Sequence, residues 1–245
     1  MAKQSGLGDQ LFIGGYDVGA DINSISSLST PRAVLPATGI TKSAMERFFG
    51  QRDASAEFVS YFNDATGAVH ESLKGLPVTD TQLMYCRGEG IGSEAFCLSG
   101  KQIDYNPNRG DDGSLLFTTT AQSNGFGADW SDQLTAGADT HASAASTTSL
   151  DTAASASFGW QAYLQVFSVG SGTATITIED SADNSAFATL SGGVFTNATA
   201  RTFERLQSAT DTATVRRYLR VTTSGVFTNL VFAVAINKND ALRAI

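Results

Sequence analysis

Between Thr135 and Ser157 the chain reads TAGADTHASAASTTSLDTAASAS, a run of small and polar side chains that brings almost no apolar surface to a core. A segment of this composition cannot fold alone, so it divides the sequence into two β-patterned halves. The halves differ in charge. Residues 1–134 carry 9 Lys+Arg against 16 Asp+Glu, and residues 158–245 carry 7 against 6, the segment between them supplying the remaining −2 of the chain's −8. The expected organisation is a first module over 1–134, an Ala/Ser/Thr-rich linker over 135–157 acting as a flexible tether, and a second module over 158–245. Each module is long enough to bury its own core.

Charged residues make up 16 % of the chain, well below the usual ~25 %. A surface of Gly, Ala, Ser and Thr desolvates easily, which suits either a component buried in an assembly or a secreted or phage-type β-protein. The start MAKQSGLGDQLFIGG has no apolar signal core, and the longest apolar run, Leu230 to Ile236, is strand length against the ~20 residues a spanning helix needs. Synthesis in a cytoplasm without membrane insertion is the expectation. Cys86 and Cys97, on segments that can pair as a hairpin, read as two buried thiols in a reducing compartment. The acidic balance argues against binding nucleic acid by phosphate neutralisation, but it suits a channel through which a polyanion slides.

Along the first half, Leu11–Ile13 and Asp21–Leu28 read as strands. Thr41–Gly50 reads as a helix: Ser43 and Glu46 fit a capping box, Gly50 a C-terminal cap, and Met45, Phe48 and Phe49 share one face directed at the core. On that reading, Asp at position 48 or 49 unfolds the module. Strands are expected over 56–62, 78–87, 94–105 and 114–123, with a second short helix within 65–75 and turn-rich connections at 88–93 and 106–113. In the second half, strands over 158–169, 173–180, 187–190, 201–207, 214–223 and 230–237 alternate with turns. The fold class is therefore mainly β: an N-terminal β-sandwich or rolled sheet with one or two short helices, and a C-terminal all-β sandwich of jelly-roll or immunoglobulin-like type.

No catalytic, cofactor or metal constellation stands out. The glycines at 6, 8, 88, 90 and 92 lack the strand–helix context and the Lys-Ser/Thr of a phosphate loop. His70 lies on the short helix beside Glu71, and His141 in the linker, where geometry is poorly held. Asp104, Asp111 and Asp112 sit in a polar hairpin loop without the spacing of a calcium loop, and Asp183 and Asn184 in a turn. Trp160 and Tyr163 read as core aromatics. Arg216, Arg217 and Arg220 are the candidate intersubunit or surface contact, Arg216 and Arg220 sharing one strand face; the alternative is a solvated sheet face.

Three segments carry a resemblance: GLGDQLFIGGYDVGADINSISSL; ATGITKSAMERFFGQRDASAEFVSYFND; and AVHESLKGLPVTDTQLMYCRGEGIGSEAFCLSGKQIDYNPNRGDDGSLLFTTTAQSNGFG. Together they resemble the major tail proteins of long-tailed actinobacteriophages over most of residues 3–134, and the second half resembles the C-terminal extension that some of these carry. The resemblance implies a virion protein of a siphophage tail: a small β-sandwich with a flanking helix, assembled as hexameric rings stacked into a tube that delivers DNA. It implies no enzyme activity and no cofactor. The implied partners are further copies of itself, the tape measure and tail terminator proteins, viral DNA passing unbound through the lumen, and the host envelope for an external second module. The alternative reading is a capsid decoration or minor tail protein whose C-terminal sandwich binds host-surface carbohydrate.

Overall fold

The computed structural model describes residues 5–242. The first half supplies β1 (Gln10–Ile13), β2 (Tyr16–Asp17), β3 (Ile22–Ser29), β4 (Arg32–Pro36), β5 (Arg47–Arg52) and β6 (Ser55–Tyr61). After α1 (Val69–Leu73) come β7 (Thr81–Cys86), β8 (Glu94–Gln102), β9 (Asn106–Arg109), β10 (Leu115–Ser123) and β11 (Asp129–Gln133). β12 (Asp139–His141) and β13 (Leu150–Asp151) lie within the Ala/Ser/Thr-rich segment; β14 (Trp160–Ser181), β15 (Ala188–Val194), β16 (Thr202–Gln207) and β17 (Tyr218–Lys238) make the second half. The mainly-β reading holds, α1 falls within the expected second helix, and most strands fall where alternation places them.

One antiparallel path, β15-β14-β17-β11-β8-β10-β6-β3, runs through both halves. Its joint is β11, which sequence reasoning missed. Asp129–Asp132 pair with β8, and Asp132 and Gln133 pair with Ile236 and Ala235 of β17.

The second half is built on a single ribbon. The strands expected at 158–169 and 173–180 are one 22-residue strand, and those at 214–223 and 230–237 one 21-residue strand. They pair continuously from Trp160↔Lys238 to Ser181↔Tyr218, with a bulge between Val166 and Ser168. Residues from both ends of both strands meet in one core: Trp160, Leu164 and Val166 with Ile176 and Ile178, and Leu219 and Val221 with Phe232, Val234 and Ile236. The ribbon therefore folds over on itself near 170–173 and 224–229, and so makes both layers of a sandwich.

Strand periodicity explains how the halves join. In Phe232-Ala-Val-Ala-Ile236 the large residues face the second half's core. The small Ala233 and Ala235 face the other way, into a cluster shared with Phe12, Met84, Cys86, Ala95, Cys97 and Tyr163. The alternate residues of β1, β7 and β8 (Leu11, Ile13, Leu83, Phe96, Leu98) line a third core with Phe58, Val69, Leu73 and Phe117. Cys86 and Cys97 are free and buried; burial pushes the Cys86 thiol up to about 12, so both are packing groups rather than nucleophiles.

Two expectations are corrected. The segment 135–157 is not a free tether. It runs antiparallel along the outer edge of β17, through His141↔Leu230, Ser146↔Thr222, Leu150↔Leu219 and Ala156↔Val215. Backbone bonds such as Thr147 N to Val221 O at 2.9 Å satisfy its polar groups.

The helix expected over 41–50 is absent; β5 occupies its second half and pairs with β4 through Val34↔Phe49, Leu35↔Phe48 and Pro36↔Arg47. Gly50 is a ladder residue, not a cap. A Cβ there would stand 3.0 Å from that of Ala33, so glycine permits the close approach of the strands. Phe48 and Phe49 are 69 % and 74 % exposed, so an Asp at either site meets solvent and not a core.

Candidate assembly surfaces

The β4–β5 hairpin is a two-stranded sheet separate from the main one. Val34, Leu35, Ile40, Met45, Phe48 and Phe49 are all more than half exposed on it. Burying one such phenylalanine is worth ~1.5–3 kcal/mol, and isolated hairpins are marginal in water. Exposed apolar patches of this kind mark interaction surfaces. At the end of the main sheet, β3 (INSISSLS) carries no charge and no proline on its open edge. Bulges at 22–24 and 25–27 shorten what it can pair with.

At the hairpin root lies a cleft of about 810 Å³, lined by Arg32, Phe49, Arg52, Phe126, Arg205 and Gln207 among others. Arg205 stacks on the Phe126 ring at 3.9 Å and donates to Gln207 Oε1 at 2.7 Å. Arg52 Nη1 donates to Asp129 Oδ1 at 3.1 Å, and Tyr163 Oη donates to Asp129 Oδ2 at 2.6 Å. Asp129 is 2 % exposed. One buried carboxylate thus ties the hairpin root, β11 and β14 together. Burial and then the charge of Asp129 push the Tyr163 hydroxyl well up, so it remains a donor.

The arginines singled out from sequence are committed within the chain. Arg216 Nε and backbone N reach the Asp180 carboxylate at 2.9 Å each. Arg217 forks onto Asp151 of β13 at 2.7 Å, which drops that carboxyl to about 2. Arg220 Nε holds Glu179 at 2.7 Å and lies over the Phe187 ring. These pairs tie β13 and β14 to the start of β17. The cleft arginines gave no sequence signal, because positions 32, 52 and 205 are far apart and converge only when the two halves join.

Trp160 and Tyr163 are fully buried. Asp112 and Asp183 accept backbone N–H groups of their own turns, from Ser114 and from Ser185 and Ala186; Asp104 accepts from Thr120 N at 2.6 Å. His70 Nδ1 pairs with the Tyr105 hydroxyl. Among the described residues no three His, Cys, Asp or Glu gather as metal ligands, and no helix is long and apolar enough to cross a membrane.

His141 is 7 % exposed, with Nδ1 2.7 Å from Thr223 Oγ1 and its ring edge-on to Phe232. Burial lowers its pKa from 6.5, and Asp139 opposes this only in part. A lowered folded-state pKa means that the unfolded chain binds the proton better. The contribution is therefore intact above 6.5 and is lost as pH falls from there through the folded value. In urea titrations the wild type should lose more stability between pH 7.5 and pH 5 than His141→Gln does. Equal losses would show that the folded chain does not disfavour protonation of the His141 ring.

No known protein-family model matches the chain, and no curated protein matches it. Several solved structures are similar. A chain of the virion of a native gene transfer agent particle is 14 % identical, with a TM-score of 0.42 over 52 % of this chain and 98 % of that one. The tail of the empty particle, refined helically with C6 symmetry, gives the same values. The Dit protein of phage SPP1, described as a paradigm of the hub adsorption apparatus in phages infecting Gram-positive hosts, is 8 % identical, with a TM-score of 0.33 over 94 % of this chain and 99 % of that one. A chain of the phage p2 baseplate in its activated conformation is 10 % identical, with a TM-score of 0.36 over 96 % and 99 %. Likeness at this level leaves function to be argued from the chain's own residues and geometry.

Proposed function

We propose that this chain is a structural virion protein, a subunit of a phage tail tube that polymerises through its β4–β5 hairpin into stacked rings around a channel for DNA. The observation that carries the reading is the hairpin itself. It projects from the sheet with both phenylalanines in solvent, it is too small to be stable alone, and its apolar side chains gain cover only from another molecule. A contact in which an arm of one copy docks on a different surface of the next is heterologous, so it builds rings or open stacks. The low charge density and the net −8 fit a wall past which DNA slides without sticking. The resemblance of residues 3–134 to tail-tube proteins supports the same reading and supplies the expectation of sixfold rings and of tape measure and terminator partners. The virion tail is the implied location.

Self-assembly tests it. The purified chain, concentrated and viewed by negative-stain electron microscopy with sedimentation in parallel, should form rings or tubes. Phe48→Ser/Phe49→Ser should remain monomeric with an unchanged thermal midpoint, because neither ring belongs to a core. A double variant that assembles normally would remove the hairpin from the interface. A wild type that stays monomeric when concentrated would favour the decoration or minor tail reading.

A further inference from the structure

We propose that the arginine-lined cleft at the hairpin root receives the Asp111–Asp112 turn of a second copy of this chain, so that copies stack head to tail along the direction of β10. The proposal rests on the assembly reading and names the surfaces that meet in it.

The first observation is charge without a partner. Arg216, Arg217 and Arg220 each meet a carboxylate within the chain. Among the described residues, no carboxylate forms an ion pair with Arg32 or Arg205, although both line the cleft. Of the acids nearby, Asp129 holds Arg52, and Asp53, in the cleft wall, accepts from Gln122 Nε2 at 3.1 and 2.9 Å, so the cleft's arginines outnumber its one surface carboxylate. Arg205 is held in place, its plane stacked on Phe126, Nη1 donating to Gln207 and Nε to the Tyr163 hydroxyl at 3.4 Å, which leaves the Nη2 edge to offer. A guanidinium whose edge is presented in this way is built to take a carboxylate.

The second observation is where the complementary charge lies. Asp111 and Asp112 form an exposed adjacent acidic pair in the turn between β9 and β10. Asp112 spends one oxygen on Ser114 N, and Asp111 has no ion pair among the described residues. Asp64 sits at the same end, just beyond β6, whose Tyr61 is opposite Leu116; Arg109 offsets one of these charges. The cleft lies at the opposite end of the same strand, where Ser123 of β10 contributes to its wall.

From Leu115 to Ser123 the strand spans eight residue steps, about 27 Å at ~3.4 Å per residue. The two surfaces therefore point away from each other and cannot meet within one molecule. A second copy translated along β10 brings them together. The result is a heterologous contact that repeats without closing, the geometry that stacking requires. The hairpin leaves the sheet beside the cleft, since Arg52 both ends β5 and lines it, so the acidic turn and the apolar arm would engage at the same junction.

Charge reversal tests the pairing. Arg32 and the Asp111–Asp112 turn are exposed, so Arg32→Glu and Asp111→Lys/Asp112→Lys should fold normally. Each should raise the critical concentration for assembly by roughly tenfold or more, since like charges are then set against each other. The triple variant Arg32→Glu/Asp111→Lys/Asp112→Lys should recover most of the loss, and wild-type assembly should weaken with added salt.

Reversed variants that assemble like the wild type overturn the proposal. If Phe48→Ser/Phe49→Ser still blocks assembly in that case, the tube reading stands without it. Loss in both reversed variants without recovery in the triple variant overturns the specific pairing. A wild type that never assembles overturns the tube reading and the proposal with it.

Discussion

Gly172→Ala is expected to destabilise the chain by about 3 kcal/mol and to lower its thermal midpoint by roughly 6–12 °C. Gly172 stands where the long ribbon folds over, at φ +81°, and a Cβ built there would lie 2.0 Å from the carbonyl oxygen of Val226. Two effects add. A left-handed backbone costs an alanine roughly 1–2 kcal/mol, and the contact with backbone has no flexible side chain to yield. The strands must separate locally, and cross-strand pairs on either side of the fold weaken with them. Gly113 provides the control: its φ is +88°, yet nothing lies within 4 Å of its Cβ position. Gly113→Ala should therefore show the backbone strain alone, about 1 kcal/mol. Equal shifts for the two variants in thermal melts would mean that the ribbon's close approach at Val226 does not hold the sandwich in shape.

That fold was half legible in the sequence. Alternation in Phe232–Ile236 and Thr173–Asp180 identifies strands correctly, because the period-2 pattern comes from burial on a pleated surface and survives wherever a face is covered. What alternation does not show is continuity. Gly170, Gly172 and Gly225 read as turns that end strands, whereas here they let a strand bend while its ladder continues. The composition of 135–157 rightly denies it a core, but a segment without a core can still serve as an edge, since edge pairing uses backbone groups that every residue has.

The error at 41–50 is the most instructive. Phe48 and Phe49 announce themselves as buried, and by the assembly reading they are; a sequence does not say whether the cover belongs to the same molecule. A face meant for a neighbour carries the same apolar signature as one meant for the core. The Arg216–Arg220 cluster shows what the sequence leaves out: its partners Asp180, Asp151 and Glu179 come from other strands, and only the register brings them alongside.

Asp129→Ala is expected to be the most damaging polar substitution in the joint between the halves, at about 3–5 kcal/mol. The carboxylate sits almost wholly out of water and accepts from Tyr163 Oη at 2.6 Å and from Arg52 Nη1 at 3.1 Å. Removing it strands a fully buried phenol hydroxyl and leaves a half-buried guanidinium without its counter-charge. An unmet donor costs more than the bond it formerly made. Tyr163→Phe takes one donor from the carboxylate but leaves its Arg52 pair, so it should be milder, about 1.5–3 kcal/mol. The double variant Asp129→Ala/Tyr163→Phe should then be more stable than the two single losses added together, because the stranded hydroxyl is counted in Asp129→Ala and absent from the double.

Urea unfolding of the four proteins closes the cycle. Strict additivity would mean that Asp129 and Tyr163 act separately in the joint. Arg52 ends the β5 strand, so Asp129→Ala also frees the root of the hairpin. Assembly should weaken beyond what the loss of stability explains, whereas Tyr163→Phe, which leaves the Arg52 pair in place and takes from the cleft only the acceptor of Arg205 Nε, should weaken it less.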